Sequence, residues 1–121
     1  MEETNTIAPE VFRQRFLIDL ITDKKLDKKM VEDTLKDFVK YMGFQSYSGP
    51  MVYETGEVGK QINQGYDGFI ALIDSGISIN TWADSGLVSL YIHTCKEFSE
   101  EKALKFMQDY FKPKEIFSKT V

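Results

Sequence analysis

The chain has 121 residues, 42% of them apolar and 28% charged, with a formal net charge of −4. That length supports one globular domain with a sizeable core and leaves little room for a second. The acidic balance gives no sign of a phosphate-binding surface, and no apolar run approaches the ~20 residues that cross a bilayer, so neither a nucleic-acid nor a membrane partner is expected.

A single cysteine, Cys95, has no partner for an internal disulfide, and the spacing of a four-ligand zinc site is absent, so no metal is expected. The opening residues MEETNTIAPE are polar and acidic, unlike a signal peptide, which makes a cytoplasmic location the expectation. Residues 1–10 read as a flexible N-terminal extension and residues 11–121 as a single domain.

The apolar run at residues 12–21 predicts a buried strand centred on 15–20, with a short helix as the alternative because so brief a run does not settle its period. A charged turn follows at 23–29. Val31, Leu35, Phe38, Val39 and Met42 then recur at helical spacing, and Gly43 supplies a C-terminal stop. Residues 44–54, rich in Tyr and Val but broken by Gly49-Pro50, predict a strand with a kink or bulge. Residues 56–68 hold four glycines and read as a surface loop. Strands are expected at 69–74 and 77–82, with Ser75-Gly76 at the hairpin turn, and at 87–95 after a turn at 83–86.

Ser99 is a natural N-cap for a second helix, with Glu100 and Glu101 in its first turn and Phe98 placed to staple onto Ala103. Ala103, Leu104, Met107, Tyr110 and Phe111 form its apolar face, Pro113 ends it, and an edge strand closes the chain at 116–121. The order β-α-β-β-β-β-α-β predicts an α+β domain, a two-layer sandwich of an antiparallel sheet carrying both helices on one face.

The chemistry gathers between residues 71 and 95. In strand 87–95, Val88, Leu90, Ile92 and Thr94 point one way and Ser89, Tyr91, His93 and Cys95 the other. The second set suits a pocket or a partner better than bulk water. An imidazole two residues from a thiol on one strand face has the means to lower the thiol pKa. Taken alone, Cys95 reads as inert packing, His93 as a structural histidine and Asp74-Ser75-Gly76 as a good turn. A Ser-His-Asp triad from Ser75, His93 and Asp74 or Asp84 lacks both a GxSxG motif and support from strand parity.

Asp74-Ser75-Gly76, Ile79-Asn80-Thr81-Trp82-Ala83-Asp84 and Thr94-Cys95-Lys96 resemble, without a gap, the core of the small bacterial and archaeal S-adenosylmethionine decarboxylases. There the matching stretches are Glu-Ser-His, Ile-His-Thr-Trp-Pro-Glu and Thr-Cys-Gly. Arg15 to Leu20 is similar to that family's first strand, Gly65-Tyr66-Asp67-Gly68 to the Gly-x-Ser-Gly lead-in to its hairpin, and Phe111-Lys112-Pro113 to the end of its helix. The match spans most of residues 15–113, weakest over 44–64.

The resemblance implies self-cleavage before a serine that becomes a pyruvoyl group, an electron sink for loss of carbon dioxide. It assigns the pyruvoyl precursor to Ser75, the proton donor to Cys95 and the cleavage-site acid to Asp74. At the position of the processing histidine stands Asn80, and at that of the assisting serine, Asp67. Asn80 cannot relay a proton near neutrality, and Asp67 brings negative charge where an oxyanion develops. His93, absent from the family pattern, is a candidate substitute. The chain is therefore expected to bind S-adenosylmethionine or a close derivative uncleaved, with no cofactor, and to act as a lyase releasing methylthioadenosine. The alternatives are a pyruvoyl-dependent decarboxylase of polyamine biosynthesis and a catalytically silent regulator or partner subunit. Trp82 and Tyr91 are expected to offer aromatic faces to the ligand, and Asp67, Asp74, Asn80 and Asp84 to hold its charged groups. The family pattern also implies a homodimer or higher homo-oligomer.

Overall fold

The computed structural model describes residues 6–121. The N-terminal extension expected at 1–10 lies outside the described residues over 1–5. Six strands form one sheet: β1 (Gln14–Ile21), β2 (Met51–Glu54), β3 (Tyr66–Leu72), β4 (Ser75–Trp82), β5 (Leu87–Thr94) and β6 (Glu115–Thr120). The strand order is β2-β3-β4-β5-β1-β6 and every pairing is antiparallel. Helices α1 (Lys28–Met42) and α2 (Glu100–Phe111) pack on one face. The α+β sandwich expected from the sequence is the fold observed.

Alternation builds the core. Phe16, Ile18 and Leu20 of β1 meet Ile77 and Ile79 of β4 and Val88, Leu90 and Ile92 of β5 beneath Val31, Leu35 and Phe38 of α1 and Ala103, Met107 and Phe111 of α2. Phe38 edges against both Phe44 and Phe106, joining the two helices. The helix ends follow their chemistry. The Met30 amide donates to the Asp27 carboxylate at 2.8 Å and the Lys102 amide to the Ser99 hydroxyl at 3.0 Å, while Gly43 takes φ +76° to close α1.

The strand bounds depart from expectation in three places. The first strand begins at Gln14, because Arg13 is spent on the preceding hook, where its guanidinium donates to the carbonyls of Ile7, Ala8 and Val11. The stretch 44–54 is kinked as read: only Met51–Glu54 is strand, and one further bridge joins Ser46 to Leu72 before the Gly49-Pro50 break. The expected loop 56–68 gives way to β3 at Tyr66. There the Tyr66 amide donates to Thr81 Oγ1 at 3.0 Å, and a Cβ on Gly65 would stand 1.8 Å from the Thr81 carbonyl oxygen. Only glycine fits that approach.

The hairpin apex is also displaced. Leu72 pairs with Ser75, so Ile73 and Asp74 are the turn residues, and Ser75 and Gly76 belong to β4. Asp74 takes the left-handed conformation at φ +63°, which aspartate tolerates better than most side chains. Gly76 serves packing instead of turning: a Cβ there would come within 3.0 Å of the Phe69 ring.

Candidate functional site

Helices cover one face of the sheet; the other is open. Register lays its side chains out in rows. One row runs Tyr53, Asp67, Asn80, Ser89, Asp19, Phe117; the next runs Met51, Phe69, Ser78, Tyr91, Leu17, Lys119; a third runs Ala71, Gly76, His93, Arg15. Neighbours in a row stand ~5 Å apart, so each row is a line of touching side chains.

Asp74, Ser75, Tyr91, His93 and Cys95 line one cavity of about 360 Å³, together with Phe69, Gly76 and Ser78. Five of the nine residues singled out from the sequence thus share a site. Ser75 pairs with Thr94, at the rim between the two faces, and it also borders a second cavity of about 300 Å³ on the helix side, under Gly43, Phe44 and Gln45. Cys95 lies just past the end of β5 and is exposed. His93 is held below its ordinary value by burial, and then by the charges of Arg15 and Arg13.

The other four residues lie elsewhere. Asp67 and Asn80 are cross-strand partners, and the Asn80 amide donates to Asp67 Oδ1 at 2.8 Å. They stand five strand positions from Ser75, about 16 Å at the usual rise. Trp82 sits at the far end of β4, where its Nε1 donates to Asn63 at 3.0 Å. Asp84 lies in the β4–β5 turn against Thr22, Lys24 and Lys25 in a separate cavity of about 460 Å³. The expectation that Asp67, Asp74 and Asp84 gather near the same strand ends is corrected: Asp74 is at the opposite end of the hairpin from the other two. Trp82 and Tyr91 likewise fall in different rows, since Trp82 stands four positions along β4 from Ser78, the partner of Tyr91.

Sequence reasoning passed over Arg15 and Phe69. Arg15 is the β1 partner of His93, and Phe69 is the ring that lies across Gly76. Their alternation was visible, but the pairing that brings β1 beside β5 was not.

The model of the S-adenosylmethionine decarboxylase family matches residues 16–121. The chain belongs to that family. It is 44% identical over 62 residues to an S-adenosylmethionine decarboxylase proenzyme of Archaeoglobus fulgidus, a match covering 50% of this chain and 55% of that relative. The chain thus matches little more than half the length of the curated relative. The adenosylmethionine decarboxylase of Aquifex aeolicus has the same fold, with a TM-score of 0.74 at 24% identity, covering 92% of this chain and 89% of that one.

Family members that process themselves make their pyruvoyl group from a serine, so the fit can be tested on Ser75 and its surroundings. Ser75 and Cys95 border one cavity, as that chemistry needs. The Asp67–Asn80 pair does not fit the processing role: the amide cannot relay a proton, and it is bonded to a carboxylate that brings negative charge where an oxyanion would develop.

Proposed function

We propose that the chain acts on S-adenosylmethionine, or a close derivative, as an uncleaved lyase that releases methylthioadenosine. The hydrogen-bonded Asp67–Asn80 pair carries this reading. Self-cleavage needs a group that moves a proton and a donor for an oxyanion; these two positions hold an amide and a negative charge fastened to each other. A lyase needs neither. One oxygen of the substrate carboxylate attacks the carbon beside the sulfonium, the carbon–sulfur bond breaks, and its electron pair neutralises the sulfur. Positioning supplies the rate, and no electron sink or proton transfer is required.

In this reading Asp74 takes the substrate ammonium and Tyr91 and Phe69 take apolar or sulfonium surface. The working form is a homodimer joined through the open face. Met51, Tyr53, Phe69 and Phe117 are each more than 40% exposed there, and Asp19 Oδ1 is buried without a hydrogen-bond partner among the described residues. A two-fold axis over that face would set the Asp67–Asn80 pair of one copy against the Ser75 cavity of the other, so both halves of the divided site would serve one ligand.

The decarboxylase reading keeps one specific support, the shared cavity of Ser75 and Cys95. Mass under denaturing conditions and product analysis separate the readings. The lyase gives a single chain near 14.0 kDa and methylthioadenosine without carbon dioxide. Two fragments and carbon dioxide would establish the decarboxylase; ligand binding without product would establish a silent subunit. The combined variant Asn80→His with Asp67→Ser should begin to cleave before Ser75.

A further inference from the structure

We infer that Arg15 is a positioning residue that seats the substrate's α-carboxylate, turning the Ser75 cavity into a site that retains a carboxylate instead of expelling it. This rests on the proposed function for its substrate and on the open face for its geometry.

Arg15 is half-buried on the open face, directly across from His93, whose other strand partner is Gly76. Gly76 and His93 line that end of the cavity, with the Phe69 ring lying across Gly76, and Arg15 stands one strand beyond His93. The Arg15 guanidinium has no hydrogen bond or ion pair to a described residue, although a half-buried guanidinium with five donors ordinarily finds an acceptor. Its neighbour Arg13 is already committed to three backbone carbonyls. The groups near His93 are Arg15 from β1 and Arg13 just before it, Asp74 from the hairpin turn, Ser75 from β4, Tyr91 from its own strand and Cys95 just past that strand's end. Asp74 is the one carboxylate among them, and it borders the cavity from the side of β4 away from β1. A carboxylate on the cavity wall and a guanidinium just beyond His93 together complement an amino-acid zwitterion.

The lowered pKa of His93 agrees with this geometry: burial holds it down first, and the nearby charges of Arg15 and Arg13 add to that. The chemical consequence follows from where charge moves. Loss of carbon dioxide carries negative charge away from the carboxylate, so a guanidinium bonded to it stabilises the ground state more than the transition state. Intramolecular displacement also neutralises that carboxylate, so there the guanidinium contributes orientation: by holding one oxygen it aims the other at the carbon beside the sulfonium.

The experiment compares wild type, Arg15→Gln and Arg15→Lys by calorimetry with S-adenosylmethionine and with decarboxylated S-adenosylmethionine, which lacks only the carboxylate. Wild type should prefer the carboxylate-bearing ligand by about tenfold or more, the span of a charge-assisted hydrogen bond. Arg15→Gln should bring the ratio close to one, and Arg15→Lys should restore part of it. Equal affinities in wild type, or a preference that survives Arg15→Gln, would overturn the inference. If neither ligand binds, the proposed function fails separately, and acetate becomes the probe. His93 is the chain's one histidine, so its imidazole resonance reports the corner without assignment. Acetate at tens of millimolar should shift that resonance and raise its titration midpoint in wild type but not in Arg15→Gln; no shift in wild type would overturn the inference.

Discussion

On the helix-covered face Ile18, Ile77, Ile79, Val88, Leu90 and Ile92 are fully shielded, while their immediate neighbours on the open face, Leu17, Ser78, Ser89 and Tyr91, stay half-exposed and Phe69 is exposed. The same strands therefore carry two surfaces under different constraints. The covered face is filled mainly with β-branched, leucine and phenylalanine side chains, and its buried hydroxyls, on Thr81 and Thr94, donate to the carbonyls of Tyr66 and Lys96. The open face mixes aromatics, hydroxyls, an imidazole, and a carboxylate oxygen and a guanidinium that have no bonded partner among the described residues. A surface kept in that state serves recognition at the expense of packing, and each contrast between the faces has a measurable counterpart.

The largest effect is expected on the covered face. Ile79→Ala should lower unfolding free energy by about 2–5 kcal/mol in a denaturant titration, because a fully buried side chain leaves a cavity that its neighbours only partly fill. Ser78→Ala, one residue away on the open face, should change it by less than about 0.5 kcal/mol. Comparable losses at both positions would mean the faces are equally buried.

Next in size is assembly. Phe69→Asp combined with Phe117→Asp should convert a dimer to a folded monomer at micromolar concentration by light scattering, with unchanged far-ultraviolet circular dichroism. A wild type already monomeric, or a charged variant still dimeric, would remove the open face as the interface.

The smallest effect concerns protons. Burial and the two arginines disfavour the charged form of His93 in the folded chain, so between its folded pKa and its ordinary value of about 6.5 the unfolded state binds more protons. Stability from this group is complete above pH ~6.5 and declines as pH falls toward the folded pKa. The slope should be shallow, since His93 is exposed, and it should flatten in His93→Gln. An opposite slope attributable to His93 would mean that a carboxylate, not Arg15, governs it.

Much of this was legible in the sequence where short-range rules decide. Both helices follow from apolar period and caps, and Ser99 and Gly43 fall where their chemistry requires. The alternation of β5 alone selected Tyr91, His93 and Cys95 as one surface. The hairpin apex was misread because Asp-Ser-Gly carries two turn residues and a glycine. Asp74 takes the left-handed position itself, and Gly76 is reserved for the Phe69 ring. Trp82 and Asp84 were grouped with Ser75 by nearness in sequence, yet an extended chain carries its far residues away at ~3.3 Å per step. Arg15 was missed for the converse reason: its neighbour His93 is remote in sequence, and only the β1–β5 register joins them.

The strand order has one more consequence, for what a broken backbone would look like. A cut between Asp74 and Ser75 divides the sheet into β1, β2 and β3 on one piece and β4, β5 and β6 on the other. In space these alternate, so the seams β3–β4, β5–β1 and β1–β6 all join opposite pieces. The halves would hold together as an interleaved, self-complementing pair, as a zip stays closed when its tape is snipped at one end. Native size and circular dichroism would register almost nothing, so a nick at the hairpin apex would alter the covalent chain and leave its architecture standing.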